Sequence, residues 1–115
     1  MSLPDNLPHR CTISKSVTVE DDLGGDYDDL QAIESGRACW VQPASDREIN
    51  VFQRREQNVT HKVYFKADPS LAPGYVITPT TGPFTGKTLE VKSVAEATAG
   101  TGILYRVMVE EIQPR

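Results

Sequence analysis

"CTISKSVTVEDDLGGDYDDLQAIESGRACWVQ", residues 11–42, decides how this chain is read. Its first part alternates. Cys11, Ile13, Val17 and Val19 fall on one side, and Thr12, Ser14, Ser16 and Thr18 on the other. That is the period-two pattern of a strand with one wet face, and it predicts a first strand over residues 10–19. Lys15 lies on the apolar side, where its stem can pack while its amine reaches solvent at a barrel mouth. The last part, "RACWVQ", predicts a short apolar strand at residues 37–42, stopped by Pro43, with Trp40 as a core anchor. Between them stand Glu20, Asp21, Asp22, Asp26, Asp28, Asp29 and Glu34, with no Lys or Arg. This stretch reads as a long acidic loop, 20–36, with Gly24 and Gly25 supplying the freedom to fold it back.

The pattern continues outward. "SDREINVFQRREQN" changes period. Ser45 with Glu48 three residues later is a capping box, and Asp46 favours a helix start. Ile49 and Phe52 share one face of that short helix, and Arg47, Arg54 and Arg55 lie elsewhere on its surface. "VTHKVYFKA" returns to alternation, with Val59, His61, Val63, Phe65 and Ala67 on one side and Thr60, Lys62, Tyr64 and Lys66 on the other. "YVIT", "TLEVKSV" and "ILYRVMVEEI" add further short strands. Strands this short, joined by turns rather than crossover helices, predict a mainly β fold: a small antiparallel β-barrel or sandwich with one short inserted α-helix and long loops. Residues 1–115 make one domain by length, with 1–9 as a flexible tail. The loops at 20–36, 79–87 and 95–102 are longer than hairpins need, and such loops tend to carry function.

Charge is unevenly placed. The chain has 12 bases and 16 acids, a net charge of −4. Residues 20–34 hold seven acids and no base, so the remainder has 16 − 7 = 9 acids against 12 bases, a balance of +3. A general affinity for nucleic acid is not expected of an acidic chain. No apolar run reaches the roughly 18 residues of a membrane span. "MSLPDNLPHR" lacks the apolar core of an export signal, so Cys11 and Cys39 are expected to be reduced core thiols, with a disulfide open to them if their strands are neighbours.

Chemical motifs are sparse. A calcium loop needs acids at positions 1, 3 and 5 and Gly at 6. Counted from Asp22, Gly24 and Tyr27 occupy positions 3 and 6; counted from Asp26, Leu30 and Gln31 occupy positions 5 and 6. Neither register works. "GPFTGKT" has three residues between Gly82 and Gly86, whereas a phosphate loop needs four and a Gly directly before the Lys. His61 among apolar neighbours reads as a packed histidine, and His9 as part of the tail. No catalytic set, metal site or cofactor is expected.

The order of these features resembles the head–tail joining proteins of long-tailed bacteriophages, also called head completion, head closure or stopper proteins. The matching pieces are the first strand with "DDLGGDYDD", then "ACWVQPASDRE", then "NVTHKVYFKADPSLAPGYVI", "GKTLEVKSVAE" and "YRVMVEEI", spanning about residues 10–112. One departure is the absence of a base in "PGYVITPTTGPFTGK" before Lys87. The resemblance implies a virion protein without enzyme activity, assembled in the host cytoplasm. It implies a homo-oligomeric ring, six- or twelve-fold, below the portal and adaptor proteins, with a tail terminator or tail tube on its other side. Packaged double-stranded DNA passes through without sequence-specific binding. Glu20, Asp21, Asp22, Gly24, Gly25, Asp26, Asp28 and Asp29 are then candidates for a channel-facing or assembly loop. Arg47, Arg54 and Arg55 are candidate subunit or adaptor contacts, and Thr80, Thr81, Phe84 and Thr85 candidate loop contacts. Two other readings stand beside this one: a tail-side ring protein of the terminator type, and a small OB-like barrel that binds a ligand or a single strand through Tyr64, Lys62 and Lys66.

Overall fold

The computed structural model describes residues 7–20, 22–66, 69–93, 96–97 and 104–113. The elements run β1 (His9–Glu20), β2 (Asp26–Pro43), α1 (Asp46–Gln53), β3 (His61–Phe65), β4 (Val76–Pro79), β5 (Thr88–Val91), β6 (Glu96–Ala97) and β7 (Tyr105–Ile112). Neighbouring strands follow the order β3-β2-β1-β4-β5-β7, and β3 pairs with β7 as well. Six antiparallel strands therefore close into a barrel, which removes free sheet edges around its wall. The two-residue β6 pairs with β7 at Arg106 and Tyr105.

Alternation fills the barrel. Cys11, Ile13, Cys39, Val41, Val63, Phe65, Ile77, Leu89, Val91, Val107 and Val109 are buried in one cluster. A small barrel has room inside for side chains only. The two thiols are free and lie on the neighbouring strands β1 and β2. A hydrogen bond with Cys39, together with burial, pushes the Cys11 thiol up, so it stays protonated. Trp40 is a correction. Its neighbours Cys39 and Val41 point inward, so the pleat turns Trp40 outward. There it is half-buried against Tyr64, with ring centroids 5.7 Å apart.

A second, smaller core sits on the outside wall. Ser45 caps α1 and the capping box is complete in both directions. Phe52 packs with Val59 and Met108, and Ile49 and Ala44 lean on them. Met108 points out of the barrel between Val107 and Val109, and the helix is what buries it.

The acidic loop is the larger correction. Residues 26–36 belong to a strand. β1 and β2 form one ladder from His9↔Cys39 to Glu20↔Asp26, with two extra residues on β2 between Cys11↔Arg37 and Ser14↔Ala32. Gly36, at φ 70°, lies in this irregular part, where a bulge needs a residue at ease with positive φ. β1 pairs with β4 only as far as Ser14↔Val76, and β2 meets β3 only from Trp40↔Tyr64. The six pairs from Lys15↔Gln31 to Glu20↔Asp26 therefore stand beyond the barrel, about 20 Å of ribbon at ~3.3 Å per residue. The molecule measures 55 × 33 × 24 Å, with a radius of gyration of 14.9 Å against about 13 Å for a compact chain of this length. Sequence pattern found the β1 half through Val17 and Val19 and missed the β2 half, where residues 31–36 are exposed in succession and leave no period to see.

His9 is also corrected. It opens β1, and its Nδ1 accepts the Val41 N–H at 3.1 Å. Leu7 is buried beside it in sequence; residues 1–6 of the expected tail lie outside the described residues. Of the expected loop at 95–102, only Glu96 and Ala97 are described, as β6.

Candidate assembly surfaces: the acidic arm and the helix groove

The arm is built from the residues first singled out. Glu20 ends β1, and Asp22, Gly24 and Gly25 form the exposed turn, with Gly24 at φ 83°. Asp26, Asp28 and Asp29 begin β2, and Asp29 is exposed. Asp21 lies outside the described residues. The turn also presents Leu23, 95% exposed, and Ile33 on β2 is 48% exposed. Glu34 is held by Arg37 at 2.9 Å at the root of the arm. An arm of this charge repels its own kind, because like charges facing across strands destabilise pairing. Among the described residues, no group of three His, Cys, Asp or Glu comes together to hold a metal ion.

The opposite charge sits on α1. Arg47 and Arg54 are seven residues apart, two turns, and so share a face of the helix axis. Both are exposed. Arg54 is the C-cap and Arg55 follows it, its guanidinium 5.2 Å from the Phe52 ring centroid. Beside them runs a groove of about 390 Å³ lined by Ser45, Arg47, Glu48, Val51, Phe52, Lys62 and Arg106. Its lining holds three cations and one carboxylate, 3 − 1 = +2. Its apolar floor is Phe52 and Val51, the latter 37% exposed.

Glu48 organises this wall. Its Oε1 accepts from the Ser45 N–H and from Lys62 Nζ, each at 2.9 Å, and its Oε2 accepts from Arg106 at 3.0 Å. Burial alone would raise its pKa. The Ser45 backbone hydrogen bond and Lys62 outweigh that and hold the carboxyl below its ordinary value of 4.5. Sequence reading found Glu48 as a helix cap. It did not find the link to Lys62 and Arg106, because those lie 14 and 58 residues away.

The 80–87 turn is used differently. Thr80 N–H donates to the Arg10 carbonyl at 2.8 Å, and Thr81 Oγ1 accepts the Arg10 N–H at 2.9 Å. Thr85 Oγ1 donates to the Gly82 carbonyl at 2.7 Å. Phe84 meets the His61 ring edge-on, centroids 4.9 Å apart, and packs on the barrel core. These residues close the barrel end opposite the arm, since Cys11 pairs with Pro79 and Ser14 with Val76. The bonds described for them are intramolecular.

Comparison with known proteins adds a fold. No family model and no curated protein matches the chain. A solution structure of protein SF1141 from Shigella flexneri 2a is similar, with a TM-score of 0.70 and 18% identity, over 91% of this chain and 92% of that one. The barrel is thus an architecture already seen in another protein at nearly full length.

On the outer wall, sequence reading chose Tyr64, Lys62 and Lys66. The structure adds Trp40 and Arg106, which flank Tyr64 on the two neighbouring strands. Lys62 and Arg106 are both engaged by Glu48.

Proposed function

We propose that this chain is a structural virion protein of a tailed-phage neck. Copies form a ring below the portal and adaptor, close the DNA channel after packaging and offer the surface on which the tail docks. The observation that carries this is the closed barrel with an arm standing clear of it whose turn and β2 strand, residues 20–34, hold seven acids and no base. A closed barrel has no edge on which to add strands, and a projecting arm gives it a means of reaching a neighbouring copy. A net negative ring subunit also avoids sticking to the phosphates that pass it. The order of sequence pieces shared with head–tail joining proteins supports the same reading.

Immunogold labelling of phage particles made by the host that carries this gene tests it. Gold at the head–tail junction is expected. Gold at the distal tail, or particles without the protein, would refute the proposal. Gold at the tail side of the junction after the head and tail are separated would favour a terminator-type ring instead.

A second reading rests on one feature. Trp40 and Tyr64 form a ring pair on the outer wall, near Lys62 and Arg106, and such platforms stack single-stranded bases. Filter binding of a single-stranded oligonucleotide, lost in Trp40→Ala/Tyr64→Ala, would support it. No retention by the wild-type protein would remove it.

A further inference from the structure

We infer that the arm of one copy docks in the α1 groove of the next copy, head to tail. This rests on the ring reading only for closure and copy number. The contact itself is argued from this chain.

Reach comes first. The arm's tip stands about 20 Å beyond the barrel rim by its six extra ladder pairs, while the groove lies on the barrel's outer wall over Lys62 and Arg106. The ribbon leaves the barrel past Ser14 and Val76, whereas α1 follows Pro43 at the other end of the β2–β3 pairing, so the tip is carried away from its own groove and towards another molecule.

Charge then selects the occupant. The stretch 20–34 has seven acids and no base, so two arms repel, and a symmetric arm-to-arm contact is disfavoured. The groove carries a +2 excess, with Arg54 and Arg55 beside it. Among the described residues, Arg47 and Arg54 make no ion pair within the chain. Lys62 and Arg106 already bind Glu48, so the arginines of α1 are the cations left for a partner.

Shape agrees. Leu23, almost fully exposed at the tip, is the arm's apolar knob. Val51 and Phe52 form an apolar floor in a groove of about 390 Å³, roomy for a leucine. A knob flanked by acids meeting an apolar floor flanked by arginines is a heterologous contact, and such contacts make rings when the rotation closes.

Two charge-reversed variants test the contact: Asp22→Lys/Asp29→Lys on the arm and Arg47→Glu/Arg54→Glu on the helix. All four side chains are exposed, and circular dichroism checks that each variant melts cooperatively. Sedimentation velocity at low salt should show wild-type self-association that weakens as salt is added. Each variant alone should associate about 100-fold more weakly, since the arm's charge over 20–34 falls from −7 to −3 in one and the charge of the groove with Arg54 and Arg55 falls from +4 to 0 in the other. An equimolar mixture of the two should regain association as a 1:1 pair, because the unaltered arm of the helix variant meets the unaltered helix of the arm variant. A quadruple variant should stay dissociated. As a second readout, Leu23→Cys mixed with Val51→Cys should give a bismaleimide-linked dimer, and Leu23→Cys alone should not. A wild-type protein that stays monomeric and fails to cross-link would overturn the inference. So would a mixture that stays dissociated, or 23-to-23 links. The two proposals fail separately. Rescue by mixing with no gold at the neck leaves the contact and removes the phage role. Gold at the neck with unimpaired Arg47→Glu/Arg54→Glu particles leaves the role and removes the contact.

Discussion

Replacing Glu48 by Ala should cost more than any other exposed or half-buried substitution in the helix. The side chain answers three donors at once: the Ser45 N–H, Lys62 and Arg106. Losing its half of the capping box costs about 1 kcal/mol. The two ion pairs involve cations 17% and 32% exposed, so screening limits each to roughly 0.5–1 kcal/mol. The sum is about 2–3 kcal/mol. For a domain of this size that corresponds to a fall of ~10 °C in Tm. Differential scanning calorimetry at neutral pH reads it directly. Glu48→Gln keeps an acceptor for Ser45 and should lose about half as much. Double-mutant cycles with Lys62→Met and Arg106→Met should each return a coupling of ~0.5–1 kcal/mol. The pH dependence follows from the sign of the shift. The folded carboxyl lies below its ordinary value of 4.5, so the unfolded chain binds its proton first. The stabilisation is complete above 4.5 and fades as pH falls through the folded value. The melting curves of wild type and Glu48→Ala should converge in that acid range. A loss under about 0.5 kcal/mol, or cycles with no coupling, would refute the hub.

Three further outcomes are expected. Excising residues 17–29 and joining Ser16 to Leu30 by Asn-Gly, a turn suited to hairpins, should leave thermal unfolding cooperative with Tm changed by only a few degrees, because the main core cluster lies entirely outside the excised stretch; a molten product on calorimetry would show that the arm is part of the barrel's folding unit. Phe65→Ala should cost about 3–5 kcal/mol by urea unfolding because Phe65 is fully buried, while Trp40→Ala should cost well under that, and equal losses would restore Trp40 to the core. Burial, helped by Lys87 and opposed by Glu111, lowers the His61 pKa from 6.5, so His61 stabilises fully above 6.5 and its contribution is lost as pH falls from there through the folded value; urea midpoints should drop across that window in the wild type and stay level in His61→Phe.

Much of the barrel was legible in the sequence, and for one reason. Where a strand has a buried side, selection for burial writes a period of two. Val59, His61, Val63 and Phe65 showed it, and all four are buried. Ser45 and Glu48 showed the helix start because a capping box is local. Residues 26–36 showed nothing, since residues 31–36 are exposed in succession and only backbone pairing with β1 makes the stretch a strand. Trp40 misled, because its size suggested a core role while the parity of Cys39 and Val41 decided its direction. Composition alone placed the negative excess in residues 20–34 and left the remainder basic. Only the tertiary structure decided that the acids ride on an arm away from the barrel, and that Lys62 and Arg106 are tied to Glu48 while Arg47 and Arg54 face outward. Charge content is a property of the chain. Which charges neutralise each other depends on distances between residues far apart in sequence, and folding alone sets those distances.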